Sequence, residues 1–356
     1  MNWLEKRDKC LSLLKEGLVI PAHPLALDKD GKLDERSQKA ITRYYCEAGA
    51  GGVAVAVHST QFEIRDAKIG LHRPVLELAL EGVRHYENSD RSILKIAGVI
   101  GDTDQAVKEA CLASELGYDL VLISLGALKG KTNKYLIKHL SLVSEVLPIM
   151  GFYLQPAVGG RELNFDFWRE AAELNNLVAI KIAAFNRYQT LDVIRAVAES
   201  NRSDNIALYT GNDDNIILDL LCQYDLVKEP KANSLRFVGG LLGHWAFWTS
   251  KAVEQLEEIR KINPVDSVIQ SSLLSLAARV TDANAAVFDA ANNFAGCIPG
   301  INEILRRQGL MQTNRTLRKD ETLSEGQLEN IDRVYSVYPE LNDDEFVKEN
   351  LDRWLT

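Results

Sequence analysis

Short apolar runs alternate along this chain with longer stretches in which apolar positions recur at helical spacing. Eight runs have strand length: Leu18–Pro21, Gly52–Val57, Ile93–Val99, Asp119–Leu125, Pro148–Leu154, Leu177–Ala183, Ile206–Gly211 and Leu235–Gly240. Most are nearly continuous in Val, Ile, Leu and Ala, the pattern of strands covered on both faces. The segments between them predict amphipathic helices. Asp34–Ala48 places Ala40, Ile41, Tyr44, Tyr45 and Ala48 on one face. Thr103–Leu116 follows Asp102, a short polar residue suited to an N-cap. Asn133–Leu147 and Phe165–Leu174 have the same form, and Gly49 and Gly117 stand just past two helices, where left-handed C-terminal stops occur.

Eight strand-then-helix units predict an α/β fold, a (β/α)8 TIM barrel, with additional C-terminal helices. A doubly wound open sheet would carry a glycine loop after an early strand, whereas the cluster Gly49–Gly52 precedes its strand. The expected organisation is an N-terminal helix over residues 1–16, the barrel over 17–248 and a helical extension over 249–356 packed on the barrel. In that extension, Thr249–Gly309 is helix-rich, and Gln327–Val337 and Asp344–Leu355 are two further helices.

Length alone fits two or three domains, but α/β barrels of this size run as one. The 356 residues are 46% hydrophobic and 26% charged, enough apolar content for a large core. The formal net charge of −9 argues against nucleic acid and anionic membranes as partners. The five cysteines include no C-x-x-C pair, which reads as reduced thiols in a reducing compartment. The N-terminus is charged and amphipathic without the apolar core of a signal peptide, and no apolar run reaches membrane-spanning length. The expected location is cytoplasmic.

Active sites of such barrels lie at the C-terminal ends of the strands. The polar residues there are His23 after the first run, His58, Ser59 and Thr60 after the second, and Ser124 in the fourth. Tyr153 is near the end of the fifth, Lys181 lies within the sixth, Asn212 and Asp213 follow the seventh, and Gly239 and His244 close the set at the eighth. Lys181 interrupts an otherwise apolar strand. Side chains alternate along it, so an inward Lys181 shares its face with Ala179 and Ala183, leaving room around the amine. Such a desolvated amine has a lowered pKa, and the neutral form attacks carbonyls to give imines. The same lysine also fits a structural ion pair at the barrel rim. Tyr153 has two readings: a proton relay to an imine-forming lysine, or a core tyrosine with a satisfied hydroxyl.

The ordered set of segments resembles the dihydrodipicolinate synthase and N-acetylneuraminate lyase superfamily. It comprises Gly17–Pro21 with Asp28–Asp34, Gly49–Glu63, Ile96–Gly98, Tyr153–Gly160, Ala179–Lys181 and Thr210–Asp213. The resemblance runs from about Gly17 to Tyr338. It implies a Schiff-base lyase, aldolase or dehydratase acting on a pyruvate-type 2-oxo acid or sugar acid without a cofactor. It makes Lys181 the imine lysine and Tyr153 its proton relay. It assigns the substrate carboxylate to the strand-two turn, with His58, Ser59 and Thr60 as binding residues. The distal part of the substrate is expected to meet His23, Ser124, Asn212 and His244, and Asp213 and Gly239 complete the expected substrate-binding residues. Relatives are commonly tetramers built from dimers, so a homo-oligomer is implied.

The chain departs from the family pattern in three places. The family turn Gly-Thr/Ser-Thr-Gly-Glu is here Val57–Glu63, the tyrosine that synthases carry after strand four is replaced by Ser124–Leu128, and the arginine after the strand-five proline is late, at Arg161. These differences turn the expectation away from lysine biosynthesis. Two rival readings stand beside the imine. One is a metal enzyme with Zn2+ on His23, His58 and His244, assisted by Glu63 or Asp213. The other is a non-catalytic 2-oxo-acid-binding regulatory protein that keeps the pocket and has lost the reaction.

Overall fold

A computed structural model describes residues 3–88, 91–227, 234–262 and 271–356. All eight expected runs form strands. They are β1 Val19–Pro21, β2 Gly52–Val55, β3 Leu94–Val99, β4 Leu120–Ile123, β5 Ile149–Leu154, β6 Leu177–Ala183 and β7 Ala207–Thr210, then, after a two-residue β8 at Gln223–Tyr224, β9 Leu235–Leu242. The hydrogen-bonded order is β1-β9-β7-β6-β5-β4-β3-β2, and the parallel bridge Ala22–Ala54 joins the two ends of that path. A path of parallel strands that closes on itself, with helices between successive strands, is a (β/α)8 barrel.

Chain contacts divide the protein into two compact units. They do not follow the boundary expected at residues 248/249, because the C-terminal helices group with the β1–β2 part of the chain. Residues 263–270, inside the expected Thr249–Gly309 stretch, lie outside the described residues.

The first unit combines residues 1–18 with 94–241. Its strands β3 to β7 and β9 run parallel, and β8 pairs antiparallel with the start of β9. All seven residues of β6 are buried, which is why its sequence is continuously apolar but for Lys181. The helix Trp3–Lys15 attaches at the strands' N-terminal end. Lys6 Nζ donates to the Tyr118 carbonyl, just before β4, and the Tyr209 hydroxyl donates to the Leu14 carbonyl at 2.8 Å. The expected caps are present. Asp102 accepts from Gln105 N, and Gly117 closes its helix at φ +98°.

The second unit combines residues 19–93, 242–263 and 268–356. Helix Glu35–Glu47, capped by Asp34, buries Tyr44 and Tyr45. The C-terminal helix Asp344–Trp354 docks against it. Trp354 packs on Tyr44 and donates its indole N–H to Glu47. The buried Asp343 carboxylate binds Tyr44 Oη, Ser250 N and Gln308 Nε2, so one anion ties three segments of this unit together. Among the described residues, no helix is long and apolar enough to cross a membrane.

Candidate active site

Register decides which side chains surround Lys181. It lies opposite Phe152 on β5 and opposite Tyr209 on β7. Paired residues of parallel strands share a face, so Phe152 and Tyr209 flank the lysine. Lys181 Nζ sits 4.4 Å from the Phe152 ring centroid. The Tyr209 hydroxyl is committed to the strand N-termini, donating to Leu14 O and accepting from Leu18 N at 3.1 Å. It therefore anchors the first helix and does not point its proton at the amine. Above Tyr209, Gly211 lies against the lysine stem. A Cβ there would fall 2.6 Å from Lys181 Cε and 3.0 Å from Ala183 Cβ. This confirms that Lys181 and Ala183 share the face expected from alternation.

Lys181 is 7% exposed, and burial lowers its amine to about 8, against an upward pull from the Asp213 carboxylate. A lysine at that value is partly neutral near pH 7, the condition for nucleophilic attack.

The turn after β7 is held by a buried polar network. Asp219, fully buried, accepts from Thr210 Oγ1 at 2.7 Å, from Asn212 Nδ2 and Asn215 Nδ2 at 3.0 Å, and from Arg187. Asn212 in turn accepts from Phe185 N at 3.0 Å, which fixes the chain just after β6, where Phe185 adopts φ +50°. Asn212 thus braces two strand ends. Asp213 follows it, 6% exposed, with its N–H bonded to Gly211 O.

Tyr153 is not beside Lys181. It is in register with Ile182, not with the lysine, and its ring stacks on Trp168 of helix Phe165–Ala171 with centroids 5.9 Å apart. Its hydroxyl accepts from Leu163 N. Gly151, on the same face, also abuts Trp168. The expected Tyr153–Lys181 pairing is therefore corrected. Tyr153 faces the helical layer, and Phe152 holds the place next to the amine. The physical cause is an irregularity in the β5–β6 register between Ile149 and Met150, which shifts every later partner on β5.

Ser124 is 6% exposed at the end of β4, and its N–H bonds Val99 O. The loops after β4 and β5 are pinned together by Arg161, whose guanidinium donates to the Leu128 and Lys131 carbonyls. Gly239 serves close packing. A Cβ there would meet the Leu18 backbone at 2.4 Å, which argues for a structural glycine rather than a binding one.

In the second unit the expected residues are used differently. His23 is fully buried, with Nδ1 2.8 Å from Pro24 O and Nε2 2.8 Å from Thr42 Oγ1 on helix Glu35–Glu47. A carbonyl only accepts, so Nδ1 carries the proton and Nε2 accepts from Thr42. Burial lowers this imidazole to about 4. The expectation that His23 faces substrate or metal is corrected, because both ring nitrogens are bonded within the fold. The Ser59 and Thr60 hydroxyls donate to Ala22 O and His23 O at 2.8 and 2.6 Å, lacing the strand-two turn to the end of β1. Gln61, which sequence reasoning passed over, takes φ +67° in this turn and accepts from Leu317 N. His58 is half-buried, edge-on to Phe62 at 6.0 Å. His244 lies in an aromatic nest, 4.8 Å from Phe247 and 5.9 Å from Trp248, and burial lowers it to about 3. Among the described residues, no group of three His, Cys, Asp or Glu could hold a metal ion, so the three-histidine site does not form.

A parallel barrel with one desolvated lysine on the inner face of its sixth strand is the class of protein defined by this geometry. The model of the Dihydrodipicolinate synthetase family matches residues 16–223, and the chain belongs to that family. Among curated proteins, it is 26% identical over 191 residues to a 4-hydroxy-tetrahydrodipicolinate synthase of Clostridium novyi, covering 53% of this chain and 60% of that protein. It is 32% identical over 125 residues to one from Clostridium perfringens, covering 34% and 41%. The match thus spans about three-fifths or less of these relatives' own length. The fold is shared across nearly the whole chain with solved structures. A DHDPS from Cyanidioschyzon merolae with lysine bound gives a TM-score of 0.71 at 18% identity, covering 90% of this chain and 98% of that one. An N-acetylneuraminate lyase from Fusobacterium nucleatum complexed with pyruvate gives 0.69 at 15%, covering 90% and 97%.

Proposed function

We propose that this protein is a Schiff-base lyase of the class I aldolase type, acting on a pyruvate-type 2-oxo acid through an imine on Lys181. The observation that carries the reading is the lysine itself, buried on β6 with a lowered pKa, in register with Phe152 and Tyr209. Family membership and the pyruvate held by the Fusobacterium nucleatum lyase support the substrate class.

In this reading the neutral amine attacks the keto carbon, water leaves, and the protonated imine becomes an electron sink for the adjacent carbon. Carbon–carbon cleavage, its reverse or loss of a β-hydroxyl can follow. The Ser59 and Thr60 hydroxyls of the strand-two turn bond backbone carbonyls within their own unit, so they leave the proposed substrate-binding set. Ser124, Asn212 and Asp213 remain in the substrate-binding set. His23 and His244 leave it because each is enclosed within its own packing.

The test is reductive trapping. Incubation with pyruvate and borohydride should add one reduced pyruvate, located by peptide mass on Lys181, and Lys181→Ala should take up none while keeping the wild-type circular dichroism. Pyruvate binding with no adduct on the wild-type protein would overturn the proposal and favour the regulatory reading.

A further inference from the structure

The helix Trp3–Lys15 presents a face that the imine chemistry does not use. Lys6, Lys9, Cys10 and Leu13 recur at helical spacing. With Leu94 at the start of β3 and Asp119 just before β4, they line a cavity of about 260 Å³ at the N-terminal ends of the strands. All six residues belong to the first unit. Pockets for drug-sized ligands run to roughly 300–1,000 Å³, so an occupant here is small.

The lining is of two kinds. Leu13, Leu94 and the buried Cys10 are apolar. The remainder is cationic. Asp119 is occupied by Lys95, whose backbone N–H and Nζ lie 2.8 and 3.3 Å from its carboxylate. Lys6 Nζ donates to a neutral acceptor, the Tyr118 carbonyl, at 2.7 Å. Among the described residues, neither Lys6 nor Lys9 is in an ion pair. Burial pushes the Cys10 thiol up to about 12 and Asp119 adds to the rise, while Lys6, Lys9 and Lys95 oppose it. Three ammonium groups and one carboxylate therefore act on one point, an excess of positive charge beside a thiol that stays protonated.

The same helix is joined to the lysine's neighbour. Leu14 O accepts from the Tyr209 hydroxyl at 2.8 Å, and Leu18 N donates to that oxygen at 3.1 Å. Tyr209 stands opposite Lys181 in the β6–β7 pairing. A shift of the helix on its seat thus reaches the residue beside the amine through one hydrogen-bonded contact within the first unit.

We propose that the cavity between helix Trp3–Lys15 and the starts of β3 and β4 is an effector site for a small aliphatic carboxylate, whose occupation alters the reactivity of Lys181 through the Leu14–Tyr209 contact. The carboxylate meets the Lys6 and Lys9 ammonium groups, and the aliphatic body lies on Leu13 and Leu94. The site stands apart from the imine reading, and its readout at Lys181 rests on that reading.

Isobutyrate is the probe, and inorganic phosphate is the anion without an aliphatic body. Calorimetry on the full chain should show saturable isobutyrate binding, with phosphate about tenfold weaker or more. Lys9→Gln removes a charge that no ion pair of the described residues uses. It should weaken isobutyrate by about two- to fivefold, the scale of one exposed charge pair, and Lys9→Arg should restore it. Saturating isobutyrate should change the borohydride trapping rate by about fivefold or more, measured at saturating pyruvate so that competition at Lys181 is removed. Tyr209→Phe should bind isobutyrate as the wild type does and lose that change. No saturable binding, binding indifferent to Lys9→Gln, or phosphate bound as tightly would overturn the site. An unchanged trapping rate, or the same response in Tyr209→Phe, would overturn the coupling. A wild-type protein that binds isobutyrate and forms no pyruvate adduct would remove the imine reading and the coupling with it, and would leave the site standing.

Discussion

The β5–β7 region and the β1–β2 region both carry buried polar side chains at strand ends, and they use them in opposite ways. Around Lys181 the polar groups support one another so that a reactive amine stays poorly hydrated. Asp219 holds Asn212, and Asn212 braces the ends of β6 and β7. Around His23 the same kinds of residue are joined to each other and to the backbone. The imidazole bonds Pro24 and Thr42, and Ser59 and Thr60 bond the carbonyls of residues 22 and 23. The lesson is that a polar residue at the mouth of a barrel is chemical only when its strand presents it inward. Turned to the helical layer, it is cement.

That contrast is open to direct attack. Among variants that keep Lys181 itself, the largest expected effect is at Gly211. An added methyl would lie 2.6 Å from Lys181 Cε and must push the stem aside, since β7 is fixed by its pairing with β6 and β9. Gly211→Ala should slow trapping of the pyruvate imine by about 10²-fold, the scale of an ångström-sized misplacement. A wild-type trapping rate in Gly211→Ala would show that the amine does not depend on this contact.

The pH profile is the next measure. With the ammonium lowered to about 8, the free amine rises about tenfold per pH unit below that value and levels off above it. Imine formation at fixed pyruvate should follow the same curve. A profile still climbing steeply at pH 10 would place the lysine in water and return it to the rim ion pair.

On the cement side, Thr42→Val removes the hydroxyl that His23 Nε2 uses and leaves a buried nitrogen without that partner. The expected loss is about 1–3 kcal/mol of unfolding free energy in urea. The trapping rate per folded molecule should not change. A large kinetic defect with unaltered stability would make the His23 cluster chemical after all.

Much of this was readable in the chain. All eight barrel strands follow from apolar run length, and the inward face of β6 follows from Ala179, Lys181 and Ala183. What could not be read is how one strand's alternation is phased against its neighbour's. β5 shows that Gly151 and Tyr153 share a face, and they do, but only the pairing with β6 says which face. His23 hid for the same reason, because its partners Thr42 and Pro24 leave no periodic trace. The Asp219 network depends on the residues gathered after β6 and β7, and the two-residue β8 is too short to show any period.

The smallest expected effect is therefore the most informative. Were Tyr153 the proton relay, Tyr153→Phe would cut imine formation by about 10²–10⁴-fold. In the structure the lost hydroxyl accepts the Leu163 N–H at 3.3 Å, and the ring keeps its stacking on Trp168. One neutral hydrogen bond of that kind contributes about 1 kcal/mol, so the variant should be slightly less stable. Its trapping rate should stay within about threefold of wild type, less than the loss of any proton-transferring group. A hundredfold fall, measured at equal folded fraction, would mean that the phenol reaches the amine from the face of β5 opposite Phe152. The division between a chemical inner face and a structural outer face would then fail at the strand where it was drawn most sharply.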